Sequence, residues 1–224
     1  MKRTLAISDI HGELGLFEEL LEKAEYDTAK DQLILLGDYV DRGPNSKGVL
    51  ERVVELKKRG AIVLRGNHDQ MMLDAANEEP GAKRNWARNG ALSTLKSYDS
   101  SIKDMTFPSA AVFWEHVDFI NEMGYYHETD DTIFVHAGVQ PGVPVQETDP
   151  SVLIWIREEF HTAYSGEKTV VFGHTPAFLL GGASDDNVYF GDNGIIGIDG
   201  GAAYGRQLNC LELPGRKIYC AKKR

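Results

Sequence analysis

Five short runs of apolar residues, rich in Ile, Val and Leu, recur along the chain, and each is followed at once by residues able to hold a metal or move a proton. The runs cover residues 4–8, 32–36, 61–64, 132–135 and 169–172. Near-continuous apolar segments of this length read as strands buried on both faces. Helical stripes separate the first three: Leu16, Phe17, Leu20, Leu21 and Ala24, then Val49, Leu50, Val53, Val54 and Leu56. Strand, helix, strand, helix, strand is a βαβαβ unit with parallel strands and right-handed crossovers, which sets the class as α/β. In an open sheet of this kind, function lies in the crevice beyond the carboxyl ends of the strands.

The rest of the chain is organised around that unit. Residues 70–131 lack strong strand patterning and carry Trp86, Trp114 and the breakers Pro80, Gly81 and Pro108, so they predict a mostly helical excursion. Residues 188–190, 195–199, 208–213 and 217–220 predict short antiparallel strands and hairpins. No repeat, low-complexity tract or linker interrupts the 224 residues, and one domain over 1–224 is expected. With 24 Lys and Arg against 34 Asp and Glu, the net charge of −10 disfavours nucleic acid and anionic membrane as partners. No apolar run reaches membrane-spanning length. Met1-Lys2-Arg3-Thr4 leads straight into a strand without a secretory pattern, so a cytoplasmic location is expected. Cys210 and Cys220 are too few and too far apart for a disulfide framework or zinc knuckle, and read as core or hairpin fillers.

The residues just beyond the strands carry the chemistry. The first run ends Ser8-Asp9-Ile10-His11-Gly12, the second leads into Gly37-Asp38-Tyr39-Val40-Asp41-Arg42-Gly43, and the third into Arg65-Gly66-Asn67-His68-Asp69. The fourth continues as His136-Ala137-Gly138 and the fifth as Gly173-His174-Thr175-Pro176. Asp9 to Asp38 and Asp38 to Asn67 are both 29 residues, about one strand-helix-strand repeat. Taken singly, each of these is an ordinary turn residue or surface histidine. Asp9, His11, Asp38, Asn67, His136 and His174 arriving together at one edge form a donor set of oxygen and imidazole, suited to Mn, Fe, Zn or Mg. Six such groups can hold two metals sharing a carboxylate, and Asp38, on the neighbouring strand, is the natural bridge.

These motifs, in this order and spacing over residues 9–176, resemble the calcineurin-like metallophosphoesterase superfamily. Within it they are most similar to the bacterial and phage serine/threonine protein phosphatases, a branch adjoining the symmetrical diadenosine tetraphosphate hydrolases. Asp69 stands where the eukaryotic phosphatases have Glu, and Asp199-Gly200-Gly201 where many relatives have Asp-Thr-Gly. The resemblance implies a β-sandwich with flanking helices in place of the open parallel sheet. It implies that Asp9, His11 and Asp38 ligate one metal and Asp38, Asn67, His136 and His174 the other, with manganese the first expectation. It implies direct attack on phosphorus by a hydroxide bridging the two metals. His68 becomes the candidate general acid for the leaving oxygen, Asp41 its orienting partner, and Arg42 and Arg157 the arginines that clamp phosphate, with Arg65 a further candidate. A salt bridge to Glu158 or Glu159 is the competing role for Arg157.

The implied substrate is a phosphoprotein, through phosphoserine or phosphothreonine, or a phosphorylated small molecule. The alternative is a dinucleoside tetraphosphate, and residues 70–131 are where the two would be sorted. Arg84 and Arg88 there read as an exposed helical face and Trp86 as a buried core residue. His116, His127 and His161 end no strand and read as ordinary surface histidines. A scaffold that only binds partners would have lost ligands or His68, and this chain keeps them all.

Overall fold

The structure is a computed structural model that describes residues 3–181 and 187–223, so Met1 and Lys2 of the opening segment lie outside the described residues. It begins β1 (Arg3–Ile7), α1 (Leu14–Lys23), β2 (Asp31–Leu35), α2 (Ser46–Lys58) and β3 (Ile62–Val63), the expected βαβαβ unit. Four helices come next: α3 (Asn67–Ala76), α4 (Ala82–Arg88), α5 (Ala91–Tyr98) and α6 (Ala111–Asn121). Then come β4 (Tyr126–Glu128), β5 (Thr132–Val135), α7 (Pro150–Trp155), α8 (Glu158–Ala163) and β6 (Thr169–Phe172). The chain closes with β7 (Tyr189–Phe190), β8 (Ile195–Gly197), β9 (Gln207–Leu213) and β10 (Lys217–Lys222).

The strands form two five-stranded sheets, ordered β10-β9-β1-β2-β3 and β4-β5-β6-β8-β7. This replaces the open parallel sheet expected from hydrophobic runs alone with the sandwich that the resemblance implied. The reason lies in the period-2 alternation of each strand. Ala6, Ile34 and Leu36 point inward against Phe134, Val171 and Ile196, forming a core between the sheets. Their neighbours Leu5, Ile7, Leu33 and Leu35 point outward, where Phe17 and Leu20 of α1 and Val49 and Val53 of α2 cover them. On the far side Val170, Phe172 and Ile195 pack against Leu153 and Phe160 of α7 and α8. A run apolar on both faces is compatible with a helix or a second sheet as its cover, so the runs alone do not distinguish these layers.

Two further expectations hold, each with an addition. The excursion is mostly helical, as expected, and ends in the short strand β4, which pairs antiparallel with β5. All three of its residues are half-buried, so it has no apolar alternation to betray it. β8 pairs antiparallel with β7, as expected, and on its other edge runs parallel to β6, which extends the β5-β6 set. The carboxyl ends of β1, β2 and β3 in one sheet and of β5 and β6 in the other feed the ligand-bearing loops. Among the described residues no helix is long and apolar enough to cross a membrane.

Candidate metal centre and phosphate cleft

The loops that leave these strands turn back sharply, and the backbone carries that strain in residues with side chains. Nine non-glycine residues among those described have positive φ, and six of them are Asp9, His11, Asp38, Asp41, Arg42 and His174. Left-handed backbone at such residues costs roughly 1–3 kcal/mol each and persists where the surroundings over-determine it. The loops after β2 and β3 touch backbone to backbone, which is possible only because Gly37 and Gly66 lack side chains. A Cβ on Gly37 would collide with the Gly66 backbone, and one on Gly66 with the Asp38 carboxylate. Asp69, three residues into α3, ties the same loops together. Its carboxylate accepts N–H bonds from Asp38 (2.8 Å), Tyr39 (3.0 Å) and Gly66 (2.9 Å). Burial raises its pKa to about 7 against the pull of those three donors.

The three histidines of the donor set are anchored alike. Nδ1 of His11 lies 2.8 Å from the Val40 carbonyl and Nδ1 of His136 2.8 Å from the Leu36 carbonyl, while His174 hydrogen-bonds the Trp155 backbone. An imidazole that donates from Nδ1 presents the Nε2 lone pair, the arrangement a metal ligand needs. Nε2 of His174 is buried and has no hydrogen-bond partner. Nε2 of His136 faces Oδ1 of Asn67 at 2.9 Å, which sets two acceptors against each other. Asp38 links the two halves: Oδ2 is 3.4 Å from His11 Nε2 and Oδ1 is 3.4 Å from His136 Nε2. Ligand atoms of His11, Asp38 and His68 lie within 4.8 Å of one another, as do those of Asp38, His136 and His174. Asp9 reaches the first group, with Oδ1 4.0 Å from His11 Nε2, and its Oδ2 accepts the His174 N–H at 2.9 Å. An orphaned ring nitrogen, opposed acceptors and clustered carboxylates are what a cation pair resolves, so this donor set fits two divalent metals.

Burial dominates the electrostatics. It pushes the Asp38 carboxyl well above its usual range, reinforced by Asp9 and Asp69. It holds His11, His136 and His174 below theirs, so these rings are neutral and ready to ligate. Metal at Asp38 therefore competes with a proton for the same oxygens. Divalent-metal affinity accordingly falls as pH is lowered.

Over these atoms opens a cleft of about 80 Å³ whose remaining walls include Arg42, Arg157, Asn89, Trp155, Asp199 and Tyr204. His68 faces it, with its Nδ1 held 2.7 Å from Asp41 Oδ2. Burial, Arg42 and His136 hold the His68 pKa well below the usual imidazole value. Burial also raises Asp41 to about 7, opposed by hydrogen bonds from Thr94 and Trp86. Arg42 and Arg157 are both exposed at the cleft mouth. Nη1 of Arg157 donates to Thr175 Oγ1 (2.9 Å) and to the His174 carbonyl (3.3 Å), not to Glu158 or Glu159. Arg42 Nη1 stands 3.4 Å from His11 Nε2, and its guanidinium lies 5.4 Å from the Tyr204 ring centroid.

The structure takes Arg65 out of this group. Its guanidinium is turned away from the cleft and bonds the Ile120, Asn121 and Met123 carbonyls together with Gln70 and Tyr125. It caps the C-terminal end of α6, where carbonyls lack helical partners. His116 is likewise not a surface residue. It is buried, with Tyr98 Oη 2.5 Å from its Nδ1, and burial lowers its pKa to about 4. His161 and His127 are half-buried, stacked on Phe172 and Phe134 respectively. Cys210 is buried in β9 and Cys220 half-buried in β10. Arg84 and Arg88 are exposed, as expected.

Sequence reasoning missed the partners behind Asp41 and singled out Asp199 without giving it a role. Trp86 is buried, but its Nε1 reaches the Asp41 carboxylate. Asp199 is buried at the cleft, its Oδ1 accepting the Gly201 N–H at 2.8 Å. Its position after β8, at the end of another strand of the parallel set, was the available signal.

Several known proteins are similar to this chain. The sequence model of the family described as calcineurin-like phosphoesterase matches residues 2–203. Serine/threonine-protein phosphatase 1 of Salmonella typhimurium is 29% identical over 215 residues, 92% of this chain and 90% of that protein. A symmetrical bis(5'-nucleosyl)-tetraphosphatase of Nitrosomonas europaea is 28% identical over 172 residues, 77% of this chain. The chain spans about half the length of that relative, 56%. In fold, it superposes on a protein serine/threonine phosphatase from Saccharomyces cerevisiae with a TM-score of 0.67 at 13% identity, covering 99% of this chain and 80% of that one.

Proposed function

The chain belongs to the calcineurin-like phosphoesterase family, and from that premise we propose that it hydrolyses phosphomonoesters of alcohols, with phosphoserine and phosphothreonine of proteins as its substrates. The observation that carries the reading is the His68–Asp41 pair, buried except for the ring edge that faces the cleft. An alkoxide is a very poor leaving group and needs a proton as it departs. Burial acts against charge on both partners, raising Asp41 and lowering His68, so a proton is shared along their contact instead of being held as a separated ion pair. His68 releases a proton from Nε2 to the leaving oxygen, and Nδ1 is kept or made protonated across the 2.7 Å contact with Asp41. A serine/threonine-protein phosphatase is among the relatives that match nearly end to end, and so is an asymmetrical bis(5'-nucleosyl)-tetraphosphatase of Oceanobacillus iheyensis, so coverage does not sort the two substrates.

In this reading Asp9, His11 and Asp38 would hold one metal, and Asp38, Asn67, His136 and His174 the other, with manganese as the working ion. Two divalent cations held there would supply a nucleophilic water at neutral pH and offset charge on the phosphoryl oxygens. Asp9 serves as ligand in preference to His68, since a carboxylate suits a hard divalent ion and His68 is committed to Asp41. Arg42 and Arg157 flank the cleft mouth and grip the phosphoryl oxygens with planar forks that do not titrate away. Arg42→Ala and Arg157→Ala should each lower kcat/KM roughly 10²-fold and weaken inhibition by inorganic phosphate in parallel. Unchanged phosphate inhibition in both variants would make these arginines structural.

The substrate assignment is tested by hydrolysis of a phosphoserine peptide and of diadenosine tetraphosphate, side by side at equal enzyme and saturating manganese. The phosphopeptide should be turned over with the higher kcat/KM. A clear preference for the dinucleotide would transfer the same site to phosphoanhydride cleavage.

A further inference from the structure

We propose that Trp86 and Thr94, carried by α4 and α5 of the helical excursion, are positioning residues that fix the Asp41 carboxylate so that a single oxygen is presented to His68. The inference rests on the reading of His68 as general acid. Asp41 lies in the loop after β2 and is wholly buried. Thr94 Oγ1 donates to Asp41 Oδ1 at 2.7 Å, and Trp86 Nε1 lies 2.9 Å from both Asp41 oxygens. Thr94 thus singles out Oδ1, the Trp86 N–H is shared between the two oxygens and fixes the plane of the carboxylate, and Oδ2 is the oxygen turned to His68 Nδ1.

The Thr94 hydroxyl has one proton to give and two lone pairs. Its proton goes to the carboxylate, while the oxygen accepts the Asp41 N–H (2.8 Å) and faces Ser46 Oγ at 3.1 Å. Ser46 Oγ also lies 3.1 Å from the Asp41 nitrogen. Thr94 therefore grips Asp41 at both its backbone and its side chain. That matters because Asp41 has a positive φ of 73°, a conformation that must be held from outside. Thr94 and Trp86 are themselves buried, so water cannot substitute for either donor. The excursion is thereby a working part of the acid, set behind it and not only over the cleft.

The test compares Thr94→Val, which keeps the shape and deletes the hydroxyl, and Trp86→Phe, which deletes the indole N–H. Each is assayed on a phosphoserine peptide and on p-nitrophenyl phosphate, with bound metal measured in parallel. A positioning role predicts that the ratio of peptide to aryl turnover falls about tenfold or more, the loss of one charge-assisted hydrogen bond, at unchanged metal content. Thr94→Ser, which restores the hydroxyl, should hold the wild-type ratio. A part that only supports the fold would lower both activities together, and an unchanged ratio in the variants that fold overturns the proposal. If Thr94→Val does not fold, Trp86→Phe decides by the same ratio. His68→Asn is the control: a shifted ratio there with none in the other two defeats this inference alone, whereas no shift in His68→Asn defeats the general-acid reading beneath it.

Discussion

His68→Asn should cost roughly 10²–10⁴-fold in turnover of phosphoserine peptides, the usual range for general acid catalysis, and far less on p-nitrophenyl phosphate. The asymmetry comes from the leaving groups. A serine alkoxide cannot depart without a proton, whereas p-nitrophenolate is stabilised by its ring and leaves almost unaided. Asparagine preserves a polar group beside Asp41 but has no titratable proton to give. Asp41→Asn should show the same bias more weakly, because Asp41 orients the ring without meeting the substrate. Metal content has to be measured in each variant, since Asn67 precedes His68 at the start of α3 and a disturbed turn could release a ligand. With metal intact, equal losses on the two substrates would remove His68 from the acid role.

Asp38→Asn carries the second large effect. Asp38 is the one carboxylate common to both ligand groups. It also accepts the His68 N–H at 2.9 Å, so the turn that presents Asn67 and His68 leans on it. The substitution keeps the volume and the acceptor oxygen and removes the negative charge, lowering the affinity of both positions at once. Activity on an aryl phosphate should fall roughly 10³-fold or more, should vanish from the wild type with chelator, and should return with manganese only in the wild type. Full activity of Asp38→Asn after exhaustive chelation is the outcome that would sink the two-metal account.

Asp9, His11, Asp38, Asn67, His136 and His174 are legible in the sequence because each lies within a few residues of the end of a short buried strand, and strand ends are fixed by hydrophobic pattern. Their common edge survives an incorrect layer architecture. Whether Ala6 and Ile34 face a helix or a second sheet does not change where Asp9 and Asp38 emerge. Arg65 is misplaced by sequence for a related reason. It adjoins the candidate ligand Asn67 along the chain, but the extended backbone at Gly66 separates them in space and turns Arg65 toward the end of α6. Trp86 and Thr94 are hidden because their connection to Asp41 spans 45 and 53 residues and no local periodicity records it. The strain at His11, Asp41 and His174 is hidden too: the sequence shows glycines beside the candidate ligands, but the left-handed conformations fall on the candidate site residues themselves.

Whether the six donors hold two metals is decided by counting bound metal. Metal-free protein is titrated with Mn²⁺ to saturation, and bound metal per chain is read by elemental analysis after removal of the free ion. The ligand set predicts two Mn²⁺ per chain in the wild type and loss of binding at both positions in Asp38→Asn. A single Mn²⁺ per wild-type chain, or two retained at unchanged affinity in Asp38→Asn, would contradict it.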